Sequence, residues 1–335
     1  MKFLSENNIN SVGITDSNMF GTMEFVSLCN KYNIKPIIGV PFILEELDMT
    51  LYAKWKWSYP TKYYQTLDAA LLDASSSVMT NGTDNSSEAN AKIVKSEDNT
   101  LSVMLLKDQS YSDFLFLGST NGYVLDLNGH DINLTQKGML IQNENTKLTI
   151  KNSLDEGKIE KRQTTTALYT IFTSPNTETL MDNVDVYHYC DGAFDSIIFL
   201  GQGNTTLNDC NFYGSNNSSS SSNLFRGITL YNKTIINNTN SKIETVNAAA
   251  RAFQSFTITP ENIVINSGKF ESLSFSGTGA NYLTGTLVNG GSFVAIGGGI
   301  EALDVGSTNW ITHGTIINDG YFYGYHSGVS SFTPD

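Results

Sequence analysis

From Val124 to Tyr323 the chain repeats one short pattern: an apolar residue, an asparagine, a turn, then an apolar or aromatic residue. The segments read VLDLNGHDI, LTIKNS, LMDNVDVY, TTLNDCNFYG, TIINNTNSKI, IVINSGKFES, TLVNGGSFVA and TIINDGYFYG. They centre on Asn128, Asn152, Asn183, Asn208, Asn237, Asn266, Asn289 and Asn318, at intervals of 24, 31, 25, 29, 29, 23 and 29 residues. The residue before the asparagine is apolar at Leu127, Leu207, Ile236, Ile265, Val288 and Ile317, with Lys151 and Asp182 as the exceptions. Four residues after it stand Ile132, Tyr187, Phe212, Phe270, Phe293 and Phe322, while Asn152 and Asn237 precede looser turns before Ile159 and Ile243. A unit recurring every ~20–50 residues marks a solenoid, whose equivalent positions stack at about 4.8 Å from coil to coil. The pattern predicts an interior file of rings through Phe212, Phe270, Phe293 and Phe322, and an asparagine ladder at a tight turn. Eight such coils make a rod of roughly 40 Å. A β-sandwich with turns every ~8–12 residues is the alternative that the same alternation allows.

The pattern changes upstream. KFLSENNI reads as a short helix, SVGIT as a buried strand, GTMEFVSLCNKYN as a helix with Met23, Val26 and Cys29 on one face, and KPIIGV as a second strand. That order is a parallel crossover unit. LDMTLYAKW alternates Met49, Leu51, Ala53 and Trp55 on one side of a strand. YYQTLDAALLDASSS carries Leu67, Ala70, Leu71 and Ala74 at helical spacing. NGTDNSSEANAKIVKSEDNT reads as polar loop, and LSVMLLKD and DFLFLG as strands. The expected organisation is therefore an α/β fragment (1–46), a strand and linker (47–57), a helical cap with its loop (58–99) and a parallel β-helix (100–335). The fold class is mainly β.

Composition agrees with many short strands. Charged residues make up 16% of the 335 positions, and there are 28 glycines but only 6 prolines. A net charge of −13 leaves no basic stripe for a phosphate backbone, so nucleic acid is not an expected partner. No apolar run reaches the ~18 residues that membrane insertion needs, and MKFLSENNIN lacks the apolar core of a secretion signal. Cys29, Cys190 and Cys210 form no CxxC pair; Cys190 and Cys210 lie in successive repeats, with two separate thiols the simpler reading.

Candidate chemistry is sparse. Asp182, Asp185, Asp191, Asp195 and Asp209 are the carboxylates a sugar-cleaving site would draw on, yet Asp182 and Asp209 fall out of register. Arg162, Arg226 and Arg251 do not recur beside them, and His130, His188, His313 and His326 form no metal-binding spacing. Tyr321, Tyr323 and Tyr325 surround the inward Phe322 and are the candidate ligand-stacking residues. No catalytic residue, metal site or cofactor is expected.

Three resemblances carry further expectations. Val12 to Val40, with GITDSNMFGTMEF and then NIKPIIG, resembles the PHP domain of bacterial DNA polymerase III alpha subunits. The resemblance puts Asp16 on the Asp of that family's TDH motif. Ser17 stands where metal-binding members have His, Pro41 stands where they have Glu, and the preceding HxHS motif has no counterpart. Asp16 is thus a relic at most, since a catalytic metal needs three or more ligands. Leu47–Trp55 is similar to the closing strand of the Listeria–Bacteroides repeat of surface proteins. Helix, "LLKD" strand and LDLNGHDI together resemble the start of right-handed parallel β-helix domains of bacterial surface proteins, a pectate lyase-like fold.

Where the first two resemblances meet, both are incomplete, and FTPD ends the chain without an anchoring signal or cap. These readings imply a chimeric or truncated reading frame whose main part is a non-catalytic, adhesin-like surface protein that binds glycans or a host surface. That part is expected outside the cell, or in the cytoplasm if the PHP-like start is genuine. A polysaccharide lyase or glycoside hydrolase and a polymerase-type PHP protein are the alternatives.

Overall fold

The computed structural model describes residues 11–15, 22–32, 34–39, 60–118, 121–142, 147–163, 169–191, 195–216, 224–231, 234–247, 249–256, 262–274, 286–296, 301–304, 315–324 and 327–330. The chain divides into two compact units, 1–57 and 58–335. In the first, β1 (Ser11–Thr15) and β2 (Lys35–Gly39) pair in parallel, Ser11 opposite Lys35, across helix α1 (Thr22–Lys31). Cys29 and Ile34 are buried, and the Cys29 carbonyl ends the helix by accepting from the amides of Tyr32 and Ile34. The stretches KFLSENNI and Leu47–Trp55, with Asp16, Ser17 and Pro41, lie outside the described residues.

The second unit opens with a cap. Strand β3 (Thr61–Tyr64) pairs antiparallel with β4 (Ala91–Lys95), and β4 with β5 (Leu101–Leu105). Helix α2 (Leu67–Ser75) begins where Thr66 Oγ1 accepts from the Ala69 amide at 3.2 Å. It buries Leu67, Ala70, Leu71 and Ala74. Its buried Asp73 accepts from the Tyr64 hydroxyl at 2.9 Å and the Asn81 amide at 2.8 Å. The expected polar loop thus contains a strand: Ala91 and Ile93 alternate inward inside AKIVK, a signal too short to stand out among its polar neighbours.

Parallel coils follow, each with up to three strands. The first face stacks β5, β8 (Tyr123–Asp126), β11 (Lys147–Lys151), β14 (Glu178–Asp182), β17 (Asn204–Asn208), β20 (Ile235–Thr239), β23 (Ile263–Asn266), β25 (Thr286–Asn289) and β28 (Thr315–Asn318). The second stacks β6 (Gln109–Tyr111), β9 (Ile132–Leu134), β12 (Lys158–Gln163), β15 (Asp185–Cys190), β18 (Asn211–Asn216), β21 (Lys242–Asn247), β24 (Lys269–Ser274), β26 (Ser292–Ile296) and β29 (Tyr321–Gly324). The third stacks β7 (Leu115–Leu117), β10 (Met139–Ile141), β13 (Tyr169–Thr173), β16 (Ser196–Gly201), β19 (Leu224–Tyr231) and β22 (Ala249–Phe256). Further on, β27 (Glu301–Asp304) pairs in parallel with β30 (Ser327–Ser330). The protein is mainly β, a parallel β-solenoid, and each coil hides its apolar face by stacking on the next.

Two interior files define the core. On the second face Ile132, Ile159, Val186, Phe212, Ile243, Phe270, Phe293 and Phe322 are in register. Phe270 and Phe293 stack at 4.8 Å and 15°, Phe293 and Phe322 at 5.6 Å and 20°. Each buried ring contributes about 1.5–3 kcal/mol. Val186 holds the position expected for Tyr187, which points outward.

On the first face the inward file runs Val103, Leu125, Ile150, Met181, Leu207 and then Asn238, Asn266, Asn289, Asn318. The buried ladder therefore passes through Asn238 rather than Asn237, and it occupies only the later coils. Asn238 Nδ2 donates to Asn266 Oδ1 at 2.9 Å, Asn266 Nδ2 to Asn289 Oδ1 at 2.8 Å, and Asn289 Nδ2 to Asn318 Oδ1 at 2.8 Å.

The physical reason is the length of the corner. From first-face inward residue to second-face interior residue the step is seven from Leu125 to Ile132, nine from Ile150 to Ile159, five from Leu207 to Phe212 and from Asn238 to Ile243, and four from Asn266 to Phe270, so the corners from Asn266 onward are the shortest. In the short corner the asparagine side chain accepts from a turn amide, Gly268 to Asn266 at 3.1 Å and Gly320 to Asn318 at 3.2 Å. Gly268, Gly291 and Gly320 stack so closely that a Cβ would strike the carbonyl oxygen of Ser241, Gly268 and Gly291 respectively. The earlier asparagines do other work. Asn128 and Asn183 adopt left-handed φ of 50° and 54° and reach back to the carbonyls of Leu105 and Asn152. Asn152 Oδ1 accepts from Gly129, and Asn208 donates to Asp182.

Candidate functional site

The outward side of the second face gathers the aromatic residues. In β15, DVYHYC alternates, so Val186, His188 and Cys190 are buried while Asp185, Tyr187 and Tyr189 face out. The rings of Tyr187 and Tyr189 lie 6.2 Å apart and within 7° of parallel. Tyr213 of the next coil leans on both, at 6.3 Å and 6.0 Å. Lys158 Nζ stands 5.7 Å over the Tyr187 ring and the Arg162 guanidinium 4.9 Å over Tyr189. Glu160 holds both cations, at 3.0 Å and 2.8 Å. Burial pushes the Glu160 carboxyl up, but its bonds to Lys158 and Arg162 outweigh this and leave it below its usual range. Asp185 accepts from the Tyr187 hydroxyl at 3.3 Å and from Asn211 Nδ2 at 2.9 Å. Burial, then the Asp185 charge, raises the Tyr187 phenol, and burial with Glu160 raises that of Tyr189.

A second aromatic pair stands on the same face in β29. Tyr321 and Tyr323 are 57% and 48% exposed, with rings 6.4 Å apart and 12° from parallel. Tyr325 lies outside the described residues. Register connects the two groups: Tyr187, Tyr213, Glu244, Glu271, Val294 and Tyr323 occupy one outward file. Beside it run Asp185, Asn211, Lys242, Lys269, Ser292 and Tyr321. Lys242 is paired with Glu244 and lies 3.5 Å from Glu271, which Lys269 meets at 2.9 Å. The cluster of Tyr187, Tyr189 and Tyr213 was hidden from the sequence reading because counting four residues from Asn183 put Tyr187 in the core. The signal that finds it is the period-two alternation of DVYHYC.

The remaining candidates resolve into structural roles. Asp182 accepts from Asn208 at 2.6 Å and Asp209 from Asn240 at 2.5 Å, both coil-to-coil ties. Asp191 is exposed. Asp195 meets Arg226 at 3.5 Å, so the fold brings one arginine to the carboxylates that linear spacing had kept apart. Arg251 is in register with Arg226. His130 lies 3.3 Å from Asp108. Cys190 and Cys210 are buried thiols rather than a disulfide, and burial pushes the Cys210 thiol up to about 11. His313 and His326 lie outside the described residues.

A groove of about 610 Å³ follows the first face from Ser77 and Asp98 to Ile235 and Asn237. The charged side chains lining it are Asp98, Lys147 and Glu178, the last two paired at 3.0 Å. That set offers a polar cleft but no acid and base facing one another across it.

Among the described residues, no three His, Cys, Asp or Glu side chains come together as a metal-binding group. The ligand positions of the PHP pattern hold Asp16, Ser17 and Pro41. Serine and proline there do not fit a multi-carboxylate and imidazole metal centre, and no chemical step is derived through one. A search of curated proteins and a search of solved structures each gave no match. The PHP domain family matches residues 1–155, a span that covers the α/β unit and continues through the cap into the early coils of the solenoid.

Proposed function

We propose that the solenoid is a non-catalytic glycan-binding module of a bacterial cell-surface protein, adhesin-like in role and exposed outside the cell. The observation that carries this reading is the pair of outward tyrosine clusters on one face, Tyr187, Tyr189 and Tyr213 in one and Tyr321 and Tyr323 in the other. Aromatic faces stack on sugar rings, and neighbouring amides and charges hydrogen-bond hydroxyls. Four of the five carboxylates that a lyase or hydrolase would use, Asp182, Asp185, Asp195 and Asp209, are instead held by asparagine, tyrosine or arginine. The test is the full chain on immobilised glycans, with neutral hexose polymers, pectin and mucin glycans side by side: retention on at least one of them without released products is expected, and product formation with turnover overturns the non-catalytic reading.

The start of the chain belongs to a different history in this proposal. A PHP fragment and the end of a Listeria–Bacteroides repeat, joined near residue 46, make a chimeric or truncated reading frame. Sequencing the natural DNA across codons 40–56 tests it, and one continuous molecule at ordinary coverage sinks it. The family match to residues 1–155 favours a second reading, a PHP-type protein with its own metal-dependent activity. Serine and proline at the ligand positions weigh against it, and elemental analysis of the purified full chain is expected to find no stoichiometric divalent metal.

A further inference from the structure

We propose that the two tyrosine clusters are the ends of one track, which holds a single strand of a neutral, linear 1→4-linked hexose polysaccharide along the solenoid axis. The inference rests on the glycan-binding reading above and names its ligand class and pose. Tyr213 and Tyr323 lie in one outward file, separated by four coil steps through Glu244, Glu271 and Val294. At about 4.8 Å per step that is about 19 Å. A 1→4-linked pyranose chain advances roughly one coil spacing per residue, so successive sugars meet successive coils in step. Aromatic rings receive the ends of such a strand, and the Lys and Glu side chains between them offer donors and acceptors to its hydroxyls.

Charge selects a neutral polymer. Around the first cluster Lys158 and Arg162 both pair with Glu160, and Asp185 adds a second carboxylate beside the Tyr187 hydroxyl. Between the clusters Lys242 and Lys269 are matched by Glu244 and Glu271. A uronate polymer would find no cation in excess along this face, and the chain as a whole carries −13. The cations are also already committed, each to a carboxylate, so a neutral sugar adds hydrogen bonds without displacing an ion pair.

The experiment uses the full chain on a panel of neutral hexose polymers and polygalacturonate, followed by titration with a disaccharide and an octasaccharide of whichever neutral polymer is retained. The octasaccharide is expected to bind at least about a hundredfold more tightly than the disaccharide, because both clusters then hold one ligand. The paired variants Tyr187→Ala with Tyr213→Ala, and Tyr321→Ala with Tyr323→Ala, should each abolish most of that advantage. The matching Tyr→Phe pairs should keep it, with unchanged circular dichroism showing that the coils are intact. Equal affinity for short and long oligomers, or sensitivity to one cluster alone, overturns the track while leaving glycan binding in place. Tighter retention of polygalacturonate overturns the neutral ligand class. Retention of none of the panel overturns the glycan-binding reading itself, and the track with it.

Discussion

The coils up to Leu207 and those from Asn266 onward reach the same parallel stack by opposite routes. In the earlier coils the first-face interior is aliphatic, and the corner is one to five residues longer and turns through left-handed residues such as Asn183 and Asp209. In the later coils the corner is short, its glycines stack against carbonyls, and a buried amide ladder replaces the aliphatic file. The earlier interior also contains ionisable groups. Lys161 and His188 are fully buried and stand opposite one another in adjacent strands. Lys161 Nζ donates to the Tyr169 carbonyl at 2.5 Å, and His188 Nδ1 lies 2.9 Å from Thr170 Oγ1. One architecture thus tolerates a chargeable core in one stretch and depends on neutral amide pairing in another.

The largest expected effect separates the two stretches by pH. Burial lowers the Lys161 ammonium from its ordinary 10.5 to about 7. Between those values the unfolded chain holds a proton that the folded chain does not, so stability rises with pH across the window. Below about 7 both states are charged, and the full penalty, on the order of several kcal/mol, is present and flat. Burial, reinforced by the Lys161 charge, holds the His188 imidazole well below its usual range. Stability therefore also falls as pH drops below about 6.5, where the unfolded imidazole takes up a proton. Hydrogen exchange from pH 5 to 10 should show this dependence in β12 and β15 but not in β24 and β26. Lys161→Met should stabilise the protein and flatten the alkaline part; an unchanged profile would disprove the buried-amine account.

Next in size is Phe270→Ala, which opens a cavity in the stacked rings and should cost about 3–5 kcal/mol. Val186→Ala, at the equivalent position in the earlier stretch, removes less and should cost about half as much. Chemical denaturation that ranks the two in reverse would show that ring stacking is not what holds the later coils. Asn266→Ala should cost about 2–3 kcal/mol, since it takes away the partner of the Asn289 carbonyl oxygen and of the Gly268 amide and leaves the Asn238 amide only its longer bond to the Ser241 carbonyl.

How much of this was legible follows from the same contrast. Phe212, Phe270, Phe293 and Phe322 were readable because an apolar ring at a fixed offset is what a stacked interior demands. The asparagine register was not, because the offset is fixed only while the corner length is fixed, and it changes between Asn238 and Asn266. Tyr187 was misplaced for a related reason: Asn183 stands two residues after the inward Met181, where Asn208 stands one after Leu207, so the same count of four overshoots Val186 and hides the aromatic cluster. Lys161 sits in KIEKRQ, which looks solvent-exposed until register puts Ile159 and Lys161 on the same inward side. The Tyr321 and Tyr323 pair was legible because Phe322 between them fixes which way both must point.

The smallest expected effect is the sharpest test of the comparison, because it uses one residue type in two settings. Asn183 holds a left-handed φ of 54°, a conformation glycine adopts without a Cβ penalty. Its side chain donates to the Asn152 carbonyl at 3.1 Å and to Asp155 at 3.2 Å, the latter an exposed contact. Asn183→Gly removes those bonds but relaxes the backbone, so the net change should be within about 1 kcal/mol. Asn266→Gly gains nothing of the kind, because Asn266 ends a strand and its amide is a rung of the buried ladder. It should cost at least as much as Asn266→Ala. Equal losses at the two sites, measured by denaturant midpoint at constant slope, would mean that both asparagines serve the corner in one way and that the change in corner length carries no energetic consequence.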